Sequence, residues 1–114
     1  MQIESWQGSL LMKILTDYQG RAVRLNEERL AHVLERPEMR GMESALQETL
    51  RQPTLVIEAR TASQVQLNYR FYIGTRIGDK WLCVVVKYVA QDAFVLTAYL
   101  TDKPKRGKQI WPTK

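Results

Sequence analysis

Asn68, Arg70, Lys87, Thr97 and Tyr99 are cations or carry hydroxyl or amide donors, and each lies where apolar residues alternate with polar ones at a period of two. Donors and cations with no carboxylate among them suit an anion such as a phosphodiester. Arg70 can bind two phosphate oxygens with its planar fork, Lys87 supplies a point charge, and Thr97 and Tyr99 can orient the remaining oxygens. His32 is the only histidine, the side-chain type whose ordinary ionisation lies near neutrality. Together these groups suit cleavage of RNA by attack of its own 2′-hydroxyl on the adjacent phosphate. That reaction needs a base for the hydroxyl, an acid for the leaving 5′-oxygen and donors for the charge on a phosphorane-like transition state. It requires neither metal nor cofactor, and none is expected here. One Cys and one His do not make a zinc site without several carboxylates, and a single Cys excludes an internal disulfide.

The elements that must position these groups are legible from periodicity and punctuation. Ile14 to Leu25 reads as two short strands around Tyr18-Gln19-Gly20, with Gly20 free to take a positive φ. Asn26 is the N-cap of a helix that continues through Glu27 and Glu28 to about Glu35 and stops before Pro37. Leu30, Val33 and Leu34 form its apolar face, and at 100° per residue their mean direction lies about 160° from His32. His32 therefore falls on the polar side, between Glu28 and Arg36, where the plain reading is a solvated residue paired with Glu28. A second helix is expected from about Met42 to Arg51, stopped by Pro53. From Thr54 the period switches to two, and strands are expected at 54–60, 66–75, 80–89 and 94–101. The expected fold is a single α+β domain, with an N-terminal strand hairpin and two helices packed on a four-stranded antiparallel meander sheet. Its folded body spans residues 12–102, after an ill-determined extension over residues 1–11 and before a basic tail at 103–114.

Alternation sorts the two faces of that sheet. Leu67, Tyr69, Phe71 and Ile73, then Leu82, Val84, Val86 and Tyr88, then Phe94, Leu96, Ala98 and Leu100 are the expected helix-packed rows. Asn68, Arg70, Tyr72, Cys83, Val85, Lys87, Val95, Thr97 and Tyr99 take the opposite face. A two-residue turn centred on Ile77-Gly78 sets Asn68 opposite Lys87 and Arg70 opposite Val85, and a three-residue loop at Gln91–Ala93 sets Lys87 opposite Thr97. The polar groups then form a patch roughly 10 Å across, about the size of a phosphate with its two esters. A solvated sheet face is the plain alternative, and the lack of carboxylates tips the reading towards an anion. If the first helix crosses the sheet edge with its polar side towards the patch, His32 becomes the proton-transfer group. Cys83 reads as an apolar filler, since Lys87 is about 13 Å along the strand, too far to activate a thiol. Trp6, Trp81 and Trp111 read first as packing residues, with Trp111 a stacking candidate in the tail.

The chain's net charge of +5 is unevenly placed. Residues 1–102 are neutral overall, and the whole excess sits on Lys103, Lys105, Arg106, Lys108 and Lys114. Lys103, Lys105, Arg106 and Lys108 look like a phosphate-contacting arm, with a solubilising terminus as the alternative. No run approaches the roughly 20 apolar residues of a membrane span, and Leu10 to Leu15 is too short for a signal segment, so a soluble, cytoplasmic protein is expected.

The run Arg24-Leu25-Asn26-Glu27-Glu28-Arg29-Leu30-Ala31-His32-Val33-Leu34-Glu35-Arg36-Pro37-Glu38-Met39 is followed by Tyr69-Arg70-Phe71-Tyr72, Val84-Val85-Val86-Lys87 and Val95 to Asp102. In that order the segments resemble the phage-type members of the barnase/EndoU/colicin/RelE-like nuclease superfamily, over nearly everything from Tyr18 to Trp111. The resemblance implies a compact α+β metal-independent endoribonuclease of the toxin type, with an antitoxin or immunity partner. Its RelE-like branch, which acts with the ribosome, is the closer analogue. By matching position it implies His32, Arg70, Lys87 and Thr97 as catalytic, with Tyr99 nearby. Asn68, Tyr72 and the basic tail are the expected RNA contacts. The competing expectation is a non-catalytic module that keeps the nuclease shape and binds nucleic acid or protein.

Overall fold

The computed structural model describes residues 12–60 and 62–113. The extension expected over residues 1–11, Trp6 with it, lies outside them. β1 (Met12–Thr16) and β2 (Ala22–Asn26) form an antiparallel hairpin, with Gly20 at φ 83° in its turn. Asn26 caps α1 (Glu27–Leu34), its Oδ1 accepting the Arg29 amide at 2.7 Å. A 3-10 turn (Pro37–Met39) leads into α2 (Glu43–Arg51). The remaining strands are β3 (Leu55–Ala59), β4 (Ala62–Thr75), β5 (Gly78–Val89), β6 (Asp92–Thr101) and β7 (Lys108–Trp111). Among the described residues no helix is long and apolar enough to cross a membrane.

The α+β class holds, and the sheet is larger than the four strands expected. Among the described residues seven strands lie in the order β1-β2-β6-β5-β4-β3-β7. β2 runs parallel to β6, with Arg24 opposite Phe94, so the N-terminal hairpin extends the sheet instead of packing on it. At the other edge β7, from the expected tail, pairs antiparallel with β3. Both helices cover one face, where Leu30, Val33, Met39, Leu46 and Leu50 close a core against Leu82, Val84, Val86, Val95 and Ala98. A second, smaller cluster of Ile57, Leu67, Tyr69, Cys83 and Val85 lies on the far face.

The expected register fails in β4 for a local reason. The β4–β5 turn is Arg76-Ile77, closed by Thr75 opposite Gly78, and the pairing shifts between Tyr72 and Thr75. Gly74, at φ 75°, supplies the left-handed residue of this bulge, and the Asp79 carboxylate accepts its amide at 2.8 Å. Asn68 therefore faces Val84 instead of Lys87, a slip of three positions, and an odd slip turns a strand over. Leu67, Tyr69 and Phe71 move to the far face, while Asn68, Arg70 and Tyr72 turn towards the helices. In β6 the turn is Ala90-Gln91, so Val85 faces Thr97 and Cys83 faces Tyr99, an even slip that preserves the expected face. A bulge at Leu96 then places Val95 in the helix-side core and sends Phe94 outward, opposite Lys87.

Residues 102–107 cross the far face between β6 and β7. The Lys105 amide donates to the Tyr69 hydroxyl at 3.1 Å, and Gly107 lies against β3 so closely that a Cβ there would stand 2.6 Å from Ile57 Cγ2 and 3.0 Å from the Glu58 carbonyl oxygen. Ile57 is buried and Glu58 contributes backbone, so neither yields easily. Gly107→Ala is expected to cost about 1–3 kcal/mol, the usual range for overpacking, read as a lower urea midpoint at unchanged slope.

Candidate nucleic-acid interface

β5 and β6 carry Lys87, Thr97 and Tyr99 on the far face, as alternation requires. Val85 faces Thr97, so Lys87, two residues further along β5, is diagonal to Thr97 and directly across from Phe94. Lys87 is half-buried and has no ion-pair partner among the described residues. Tyr99 is turned from this end of the face. It flanks the Cys83 thiol together with Tyr69, and burial with these neighbours raises its pKa. Burial also pushes the Tyr69 phenol up to about 12 and the Cys83 thiol up to about 11, so neither ionises near neutrality and Cys83 is the apolar filler expected.

His32 stands on the exposed side of α1, its side chain 61% accessible, with Nδ1 3.6 Å from Glu35 Oε1. Its ionic neighbour is thus Glu35, one turn on, and not Glu28. Arg36, beyond the end of α1 and extended in its backbone, donates from Nη1 to the Ala98 carbonyl of β6 at 3.0 Å. His32 lines a hollow of about 250 Å³ with Asn26, Glu28 and Arg29. A second hollow of about 250 Å³, lined by Arg24, Asn26, Arg29, Phe94 and Val95, shares Asn26 and Arg29 with it. We refer to the two hollows together as the α1–β6 groove; Phe94 in the second stands across from Lys87, which lines neither. Arg29 has no ion-pair partner among the described residues, whereas Arg24 is held by Asp92 through bonds of 2.8 and 2.6 Å and lies 5.4 Å from the Phe94 ring centroid.

Three expected site residues leave this surface with the register of β4. Arg70 donates to the Gln52 carbonyl at 2.6 Å and stands 3.7 Å from Glu48, so its guanidinium ties β4 to the end of α2. Asn68 is fully buried and donates to the Val84 carbonyl at 3.2 Å. Tyr72 donates to Glu48 at 2.7 Å and sits beside Thr49; burial first, and then the Glu48 bond, push its phenol up to about 12. Lys87 and Thr97 thus lie on the far face of the sheet, Arg70, Asn68 and Tyr72 on its helix side, and His32 on the exposed side of α1, which covers that helix side.

The basic tail is an ordered crossing. Lys103, Lys105, Arg106 and Lys108 are exposed, and none has an ion-pair partner among the described residues. They therefore share the far face, or its β3 edge, with Lys87 and Thr97. Trp111 packs on Tyr18 at 5.2 Å between ring centroids, and Trp81 meets Tyr69 and Phe71 edge-on, which makes both packing residues.

Arg29 and Phe94 are groove residues that sequence patterning did not single out. Arg29 reads as one of several charges on a helix surface, and Phe94 as a core residue until the bulge at Leu96 is known. Among the described residues no three His, Cys, Asp or Glu side chains converge as a metal site requires. No protein-family model, curated protein or solved structure matches the chain.

Proposed function

We propose that the chain binds RNA along the α1–β6 groove and the adjoining far face, and cleaves it as a metal-independent endoribonuclease. The observation that carries this reading is the pair of hollows that share Arg29, a cation with no ion-pair partner among the described residues, one lined by the only histidine and the other by Phe94, across from Lys87. In the reaction, His32 takes the proton of the 2′-hydroxyl as that oxygen bonds to phosphorus. The bond from phosphorus to the 5′-oxygen breaks, and the leaving oxygen takes a proton from water. Lys87 and Arg29 offset the charge that builds on the phosphorane oxygens, and the Thr97 hydroxyl donates to one of them. The exposed cations of residues 103–108 hold flanking phosphates, a contribution that falls as salt rises. The resemblance extends the proposal to a toxin-type role, with an antitoxin or immunity partner and RNA presented on the ribosome.

A binding module without catalysis is the second reading. It is favoured by Arg70, the expected phosphate clamp, whose guanidinium is engaged by Gln52 and Glu48. Lys87→Ala separates the two in assays of cleavage and of affinity for RNA. The ribonuclease reading expects cleavage to fall at least tenfold while affinity shifts by less than about threefold. A change in affinity alone, with no cleavage by either protein, supports the module.

A further inference from the structure

In the Phe94 hollow Arg24 donates two bonds to Asp92, while Arg29 in the same lining and Lys87 across from Phe94 have no ion-pair partner among the described residues. That hollow also offers the half-exposed Phe94 ring, with the Arg24 guanidinium 5.4 Å from its centroid. In the other hollow Glu28 and His32 line the wall beside Arg29. Between them the Asn26 Oδ1 is used by the helix cap, and its Nδ2 donates to no protein group among the described residues. Each hollow, about 250 Å³, is slightly smaller than the usual small-ligand pocket of about 300–1,000 Å³, a size suited to one base or one phosphate with its sugar.

We infer that the Phe94 end is a nucleobase subsite, in which one base of the bound strand stacks on Phe94 while Arg29 and the Asn26 amide hold the sugar–phosphate beside it. The inference rests on the RNA-binding reading and deepens it. A neutral, flat, polarisable group is what an aromatic ring beside a neutralised guanidinium selects, and every base has such a face. Binding at this subsite is therefore tolerant of sequence and dependent on the presence of a base.

The test uses a 2′-O-methyl hexanucleotide, which has no free 2′-hydroxyl and cannot be cut, and the same backbone made abasic, with affinity measured by fluorescence polarisation. Wild-type protein is expected to bind the base-containing strand about 5- to 100-fold more tightly than the abasic one, the range of one base–aromatic stack. Phe94→Ala should remove most of that ratio and Phe94→Tyr should keep it. Phe94→Leu, which fills the same space without a ring, should behave as Phe94→Ala and guards against a folding defect. Equal wild-type affinity for the two strands, no binding of either, or a ratio unchanged in both Phe94→Ala and Phe94→Leu overturns the subsite. Cleavage of unmodified RNA is read separately. Cleavage without a Phe94-dependent ratio removes the subsite alone, and a Phe94-dependent ratio without cleavage supports the subsite while removing the ribonuclease reading.

Discussion

Replacing His32 with glutamine is expected to lower the rate of RNA cleavage about 10²- to 10⁴-fold, the range for loss of a positioned general base. The side chain is 61% accessible and makes no hydrogen bond among the described residues, so the substitution should leave folding intact. Affinity for an uncleavable strand should change little, because Arg29, Lys87 and the exposed cations between Lys103 and Lys108 remain. Equal cleavage rates would remove His32 from the chemistry. A proportional fall in affinity and rate would make it a binding residue.

The second large effect is on stability and lies at Asp17, in the β1–β2 turn. Its carboxylate is fully buried and accepts from the Gln19 and Arg21 amides at 2.9 and 2.8 Å, from Arg21 Nε at 2.9 Å and from the Tyr88 hydroxyl at 2.7 Å. The Arg21 guanidinium stacks 4.1 Å from the Tyr88 ring centroid, so one carboxylate ties the hairpin turn to β5 across the sheet. Asp17→Ala strands these donors in a closed site, where each unsatisfied group costs about 1–3 kcal/mol. Arg21 is partly solvated and recovers some water contacts, which brings the expected loss to about 3 kcal/mol. A domain of this size loses roughly 4–8 °C per kcal/mol, so Tm should fall by about 12–24 °C. Asp17→Asn keeps the size and some acceptor capacity and should fall between the two. A drop of less than 3 °C for the alanine variant would show that the turn is held by its backbone alone.

Local signals read correctly and long-range ones did not. The Asn26 cap, the buried Leu30 and Val33 of α1, and the C-terminal ends of β4 to β6 all follow from side-chain periodicity and caps, which act within a few residues. The faces of β4 depend on Gly74 and its bond to Asp79, a bulge that alternation cannot reveal, and that bulge decides whether Arg70 or Tyr69 looks away from the helices. The seventh strand and the crossing before it depend on Gly107 fitting against Ile57 and Glu58, a contact between residues about fifty positions apart. For the same reason the groove was half legible. His32 stands out by residue type, whereas Phe94 lines its hollow only because the bulge at Leu96 turns it outward.

The most direct measurement is the identity of the ends produced when purified protein meets 5′-labelled RNA in excess EDTA, with and without ribosomes. Cleavage by the 2′-hydroxyl leaves 2′,3′-cyclic phosphate and 5′-hydroxyl ends, and that pair of ends, produced by wild type and lost in His32→Gln, is the predicted result. RNA left intact under both conditions, or fragments bearing 5′-phosphate ends, would contradict it.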